Sequence, residues 1–234
     1  MKLGLLVCDH VNPEFRVISG DYDDMFRRLF AGDPEVEVVT YDVIGGVLPE
    51  DPSECDLWLT TGSRHSVNDD FQWIRALEVF VRSIATDGVP FVGVCFGHQL
   101  LAKALGGSVV KAANGWGVGL KTSEMDPEAG IGESIDLLYS HQDQVASLPD
   151  GAEVLGWTSD CPISVFSVGG NMVGIQGHPE FVPEYSRALM EARRGSVIPS
   201  EVVDAGLETL GPMPDSNRVA EWIIALAQKE GSGA

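Results

Sequence analysis

Gly93-Val94-Cys95-Phe96-Gly97-His98-Gln99 is the stretch of sequence on which the fold turns. Phe91 to Val94 is a short β-rich run, and Gly97 to Leu105 has helical character and stops at Gly106 and Gly107. The chain therefore swings from strand into helix at Cys95, between two glycines, which is the layout of a nucleophile elbow. A strained turn needs small neighbours where the backbone passes close to other segments. It also exposes the central side chain at the carboxyl end of the sheet, where open α/β sheets bind ligands. Here that side chain is a thiol, and the N-terminus of the following helix favours its reactive thiolate form.

Upstream, Leu3 to Cys8 reads as a buried strand, Tyr22 to Phe30 as a helix, and Val36 to Tyr41 and Leu57 to Thr60 as strands. Between Asp70 and Thr86 the residues Trp73, Ile74, Leu77, Phe80, Val81 and Ile84 repeat at helical spacing. Strand, helix, strand is the pattern of a parallel sheet with helices on its faces. Beyond Gly107 short strands follow with turn residues between them, at Ser108 to Lys111, Gly117 to Lys121, Glu153 to Thr158, Ile163 to Val168 and Asn171 to Gln176; antiparallel pairing is expected there. Glu184 to Arg194 and Asn217 to Gln228 read as helices, with Pro212 and Pro214 breaking the chain before the second.

The chain has 234 residues with 35 Asp and Glu against 15 Lys and Arg, a formal charge of −20. Phosphate-rich partners are bound mainly through Lys and Arg, so nucleic acid and anionic membrane surfaces are not expected as partners. Cys8, Cys55, Cys95 and Cys161 are too sparse and too widely spaced for a disulfide framework, and no CxxC pair marks a zinc site. No apolar run reaches about twenty residues. A cytoplasmic (cytosolic), reducing location, with no metal and no cofactor, is the expectation. The acidic excess is dispersed, as on a solvated surface.

Amide hydrolysis by a thiolate also needs an acid for the leaving amine and a group that orients it. Gly174-Ile175-Gln176-Gly177-His178-Pro179-Glu180-Phe181 supplies both. A strand ends at Gly177, Pro179 breaks the ladder, and His178 and Glu180 fall on the same side, so the carboxylate is placed to hold the imidazole tautomer.

GVCFGHQ together with GHPEF resembles the class I glutamine amidotransferases, whose elbow is Gly-x-Cys-x-Gly-x-Gln and whose histidine and glutamate lie in His-Pro-Glu. The TTG segment ending at Gly62 and the SHQD segment at Ser140 to Asp143 extend the likeness over residues 1–185; residues 186–234 are expected to form a helical extension packed on the same domain. The resemblance implies a flavodoxin-like open α/β sheet, mostly parallel with helices on both faces, and a small antiparallel section. It implies Cys95, His178 and Glu180 as catalytic residues and backbone N–H groups at Gly62 and Phe96 as the oxyanion hole. It implies substrate contacts from Gln99 and, at the amino-acid end of the substrate, from Ser140, His141, Gln142 and Asp143.

The expected reaction is cleavage of the γ-amide of glutamine, or of a γ-glutamyl compound, through a γ-glutamyl thioester. One alternative is a glutaminase subunit that delivers ammonia to a separate synthase partner, since the residues after Glu180 carry no phosphate-binding glycine loop. Another is a non-catalytic binding or regulatory protein on the same fold. Arg64 and His10 follow strand ends and are candidates for the rim of the crevice, Arg64 to offset the negative field around an anionic substrate. His98 is expected to pack, His141 to line the pocket or brace its loop, and Cys8, Cys55 and Cys161 to act as small apolar residues.

Overall fold

Alternation along the strands decides which face each side chain enters, and so builds two cores around one sheet. In β1 (Lys2–Val7), Leu3, Leu5 and Val7 enter one core and Leu6, followed by Cys8, the other. The computed structural model describes residues 1–229. After β1 come α1 (Arg16–Ser19), α2 (Tyr22–Leu29), β2 (Glu37–Asp42), β3 (Leu57–Thr60), α3 (Gln72–Asp87), β4 (Phe91–Val94) and α4 (Phe96–Ala104). There follow β5 (Ser108–Lys111), β6 (Gly117–Met125), β7 (Ser134–His141), β8 (Asp143–Ser147), β9 (Ala152–Trp157), β10 (Val165–Val168) and β11 (Met172–Ile175). The described chain closes with α5 (Pro183–Arg193), α6 (Ser200–Glu208) and α7 (Ser216–Lys229).

The main sheet is nine-stranded in the order β2-β1-β3-β4-β11-β10-β9-β6-β7. From β2 to β11 neighbouring strands run parallel, and from β10 onward each pairs antiparallel. β5 and β8 form a separate two-stranded antiparallel ribbon. This is the flavodoxin-like, mostly parallel sheet with helices that the sequence implies; the antiparallel strands continue the main sheet as well as forming the ribbon. Helices α2 and α7 cover one face through Phe26, Val219, Trp222 and Ile223, and α3 and α4 cover the other through Ile74, Leu77, Leu100 and Leu101. A third cluster seats α5 and α6 on β6 and β7 through Met190, Val203, Val118 and Leu138.

Several elements are not legible in the sequence. The strands β7 and β8 and the helix α6 escape the sequence reading, and β6 runs on to Met125. Asp136 interrupts the apolar run of β7, and its place is fixed by distant groups: Thr122 donates to its carboxylate at 2.6 Å and its N–H donates to Asp215 at 2.8 Å. In α6, Gly206 lowers helix propensity but allows close packing, because a Cβ there would lie 2.8 Å from both Met190 Sδ and Val118 Cγ2.

The elbow itself is strained. Cys95 has φ 51° and ψ −95° and is the one non-glycine residue with positive φ among the described residues. Its glycine neighbours are sterically required. A Cβ at Gly93 would collide with the Gly97 carbonyl, and a Cβ at Gly97 would collide with Thr60 Oγ1. Gly97→Ala is expected to destabilise the protein by about 1–3 kcal/mol through overpacking. Adding Thr60→Ala should recover part of that loss, as urea denaturation of the single and double variants will show.

Candidate active site

The turn after β4 places Cys95 at the carboxyl end of the parallel strands, with α4 beginning at the next residue. α4 is buried on every side along most of its length and therefore holds the turn rigidly. β11 lies beside β4 in register, Ile175 opposite Val94, and the Cys95 N–H donates to Ile175 O at 2.8 Å. The chain that leaves β11 therefore carries His178 to Cys95. The His178 N–H donates to Leu138 O at 2.8 Å, which ties this segment to β7.

His178 Nδ1 lies 2.8 Å from Glu180 Oε1, and both side chains are buried. The ring stacks on Phe181, centroids 3.8 Å apart and planes within 7°. With Nδ1 engaged by the carboxylate, Nε2 remains for the cysteine. Burial alone would push the His178 pKa down, but the negative charge of Glu180, its hydrogen bond to the ring and the neighbouring Cys95 outweigh it, and the pKa is raised. Glu180 Oε2 is buried without a hydrogen-bond partner among the described residues. Gly62, two residues beyond β3, sits against the pair: a Cβ there would lie 2.8 Å from His178 Cε1 and 3.6 Å from Cys95 Cβ.

These groups open into a cleft of about 540 Å³ whose lining includes Cys95, Phe96, Gln99, His178 and all of Ser140, His141, Gln142 and Asp143. The structure thus gathers residues from three separate sequence segments into one place. Gln99 Nε2 donates to Asp143 O at 2.8 Å and to Gln176 Oε1 at 3.1 Å, so its amide protons brace the site. His141 is buried with Nδ1 3.1 Å from Asp143 O, and its pKa is lowered to about 4, chiefly by burial, so the ring is neutral. His98 packs against Phe166 outside the cleft lining, its pKa lowered to about 3 by burial. Cys8, Cys55 and Cys161 are buried free thiols, and burial raises the pKa of each.

Two sequence expectations change. Arg64 lines the cleft, but its guanidinium is bound to the buried carboxylate of Asp9, with Nη2 2.7 Å from Oδ1 and Nε 2.8 Å from Oδ2. Its charge is paired with the protein's own carboxylate. His10 is not among the cleft residues; its ring sits outside, between Asp21 at 3.1 Å and Asp42 at 3.2 Å. Arg64→Ala should therefore leave KM nearly unchanged and lower stability by about 1–2 kcal/mol, since one partner of the pair is exposed. Steady-state kinetics and urea denaturation check the two halves of that expectation.

Sequence reasoning also missed cleft residues that carry no motif. Tyr22, Lys111, Trp116, Leu189 and Arg193 reach the lining from α2, the end of β5, the β5–β6 connection and α5. Among the described residues no group of His, Cys, Asp and Glu side chains is arranged to hold a metal ion, and no helix is long and apolar enough to cross a membrane.

An open α/β sheet with a cysteine on a strained strand-to-helix turn, beside a buried His–Glu pair, defines the class of elbow-bearing α/β folds. Within that class, the profile of the family described as glutamine amidotransferase class-I matches residues 29–193, and the chain belongs to this family. A glutamine amidotransferase-like protein of Schizosaccharomyces pombe is 30% identical over 85% of the chain and 87% of its own length. Gamma-glutamyl peptidase 4 of Arabidopsis thaliana is 31% identical over 69% of the chain and 68% of its own. GMP synthase of Leifsonia xyli is 32% identical over 62% of the chain, which corresponds to 29% of that protein. Among solved structures, a glutamine amidotransferase of Thermotoga maritima superposes with a TM-score of 0.75 at 21% identity, covering 99% of this chain and 98% of its own, a likeness of fold.

Proposed function

We propose that the chain is a cysteine hydrolase that cleaves the γ-amide bond of γ-glutamyl compounds or glutamine, with Cys95 as nucleophile, His178 as acid and base and Glu180 as the group that orients it. The observation that carries this reading is the 2.8 Å contact between Glu180 and His178 Nδ1, set beside a cysteine in a strained elbow at the floor of a cleft. Cys95 Sγ attacks the amide carbon and forms a thioester while the carbon–nitrogen bond breaks. His178 gives its proton to the departing amine, then takes one from the water that hydrolyses the thioester and releases glutamate. Backbone N–H groups of Gly62 and Phe96 are read as the donors to the oxyanion, a role commonly worth about 3–4 kcal/mol per donor.

The γ-glutamyl peptidases among the relatives support a peptide substrate, and the amidotransferase-like relative supports glutamine. The likeness to GMP synthase supports a second reading, in which the chain supplies ammonia to a separate synthase. Residues 1–185 are read as the catalytic domain and the remainder as a helical extension on it; residues 230–234 lie outside the described residues. The cytosol is the compartment that suits a protein needing a free thiolate.

The purified chain should be assayed against glutamine and a panel of γ-glutamyl dipeptides, with glutamate release as the readout. Unaided turnover of dipeptides supports the hydrolase reading. Slow glutamine turnover alone, accelerated by a partner, supports the second. No glutamate release from any of these substrates, with or without a partner, overturns both.

A further inference from the structure

The cleft is larger than the chemistry at Cys95 requires. Free glutamine, with roughly ten non-hydrogen atoms each about the size of a water, fills roughly half of its 540 Å³. The lining outside the triad has its own character. Arg193 at the end of α5 reaches over Trp116, its Cζ 6.0 Å from the ring centroid, and its Nη1 donates to Ser140 Oγ at 3.3 Å. Lys111, at the end of β5, lines the same cleft, as do the apolar side chains of Leu189 and Val197.

Neither Arg193 nor Lys111 forms an ion pair with an acidic side chain among the described residues; Lys2, Arg27, Arg28 and Arg187 also lack one, but only Arg193 and Lys111 of these six line the cleft. In a chain of charge −20, two cations that share one concave surface without an ion-pair partner keep their charge available to an anionic ligand there. The indole lies within cation–π reach of the guanidinium, whose planar fork matches a planar anion such as a carboxylate.

We infer that Arg193, supported by Trp116 and Lys111, binds the terminal carboxylate of the leaving group, so that the enzyme selects γ-glutamyl peptides with a free C-terminus and a side chain that packs on Trp116, Leu189 and Val197. The inference rests on the hydrolysis proposed above and adds the residues that choose the leaving group. A guanidinium–carboxylate pair in a cleft contributes enough to set an acid apart from its neutral amide at least about tenfold.

The experiment compares γ-glutamyl-phenylalanine, its C-terminal amide and a γ-glutamyl anilide. In the wild type, kcat/KM for the acid should exceed that for the amide at least about tenfold, mainly through KM. In Arg193→Gln the ratio should fall towards one, and Arg193→Lys should restore part of it. Calorimetric binding of the acid and the amide to Cys95→Ser reads the same preference without turnover. Equal affinity for acid and amide overturns the inference. So does an equal loss on acid, amide and anilide in Arg193→Gln, because Arg193 would then hold the glutamyl end or serve the fold. Failure to hydrolyse all three of these compounds, and glutamine as well, overturns the catalytic reading instead, and the binding preference still decides the role of Arg193.

Discussion

Cys95→Ser is expected to lower kcat for γ-glutamyl hydrolysis by at least about a thousandfold, with the fold intact. An alcohol is a far weaker nucleophile than a thiolate, and members of a nucleophile–base–orienter set act as a unit, so losing one removes most of their joint effect. Residual activity would come only from substrate binding and any oxyanion donors. The same position should separate activity from stability. At φ 51° and ψ −95° a residue with a Cβ carries strain of order 1–3 kcal/mol, which glycine avoids. Cys95→Gly should therefore be inactive yet more stable than Cys95→Ala by about 1 kcal/mol, equivalent to roughly 2–4 °C in Tm for a chain of this size. Calorimetry of the two variants reads that difference. A glycine variant no more stable than the alanine variant would mean that the elbow holds no strain.

Glu180→Gln should reduce kcat/KM by about 10²–10⁴-fold and change the shape of the pH profile. The amide is nearly isosteric but carries no charge, so burial is no longer offset by the neighbouring carboxylate and the His178 pKa falls. Protonation of the leaving amine needs the imidazolium, so the alkaline limb of kcat/KM should move to lower pH in the variant. The stability consequence has the same origin. Because the folded pKa of His178 is raised above its ordinary value of 6.5, the contribution of the pair is complete below that pH and fades as pH rises through the raised value. Glu180→Gln should remove this dependence, flattening the alkaline fall in Tm. An unchanged alkaline limb would show that Glu180 does not govern the proton affinity of His178.

Much of the site was legible because its residue types are dictated locally. Gly93 and Gly97 are glycine because a Cβ would strike the backbone or Thr60, and this requirement marks the elbow without reference to the rest of the chain. His178 and Glu180 lie two residues apart, so their contact is nearly a property of the segment. The surroundings of Arg64 and His10 were not legible for the opposite reason. Proximity to a strand end places a residue near the crevice, but the partner of its charge comes from elsewhere, here Asp9 for Arg64 and Asp21 and Asp42 for His10.

By itself the sequence determined the alternation of strands and helices, the parallel sheet and the elbow at Cys95, because periodicity, glycine sterics and capping act over a few residues. It also determined that the protein is strongly acidic. Only the tertiary structure decided that β7 pairs with β6 at the end of the sheet, that Gly206 admits α6 onto β6, and that Arg193 meets Trp116 above the cleft. Those features depend on contacts between residues far apart in the chain, whose energies no local pattern encodes.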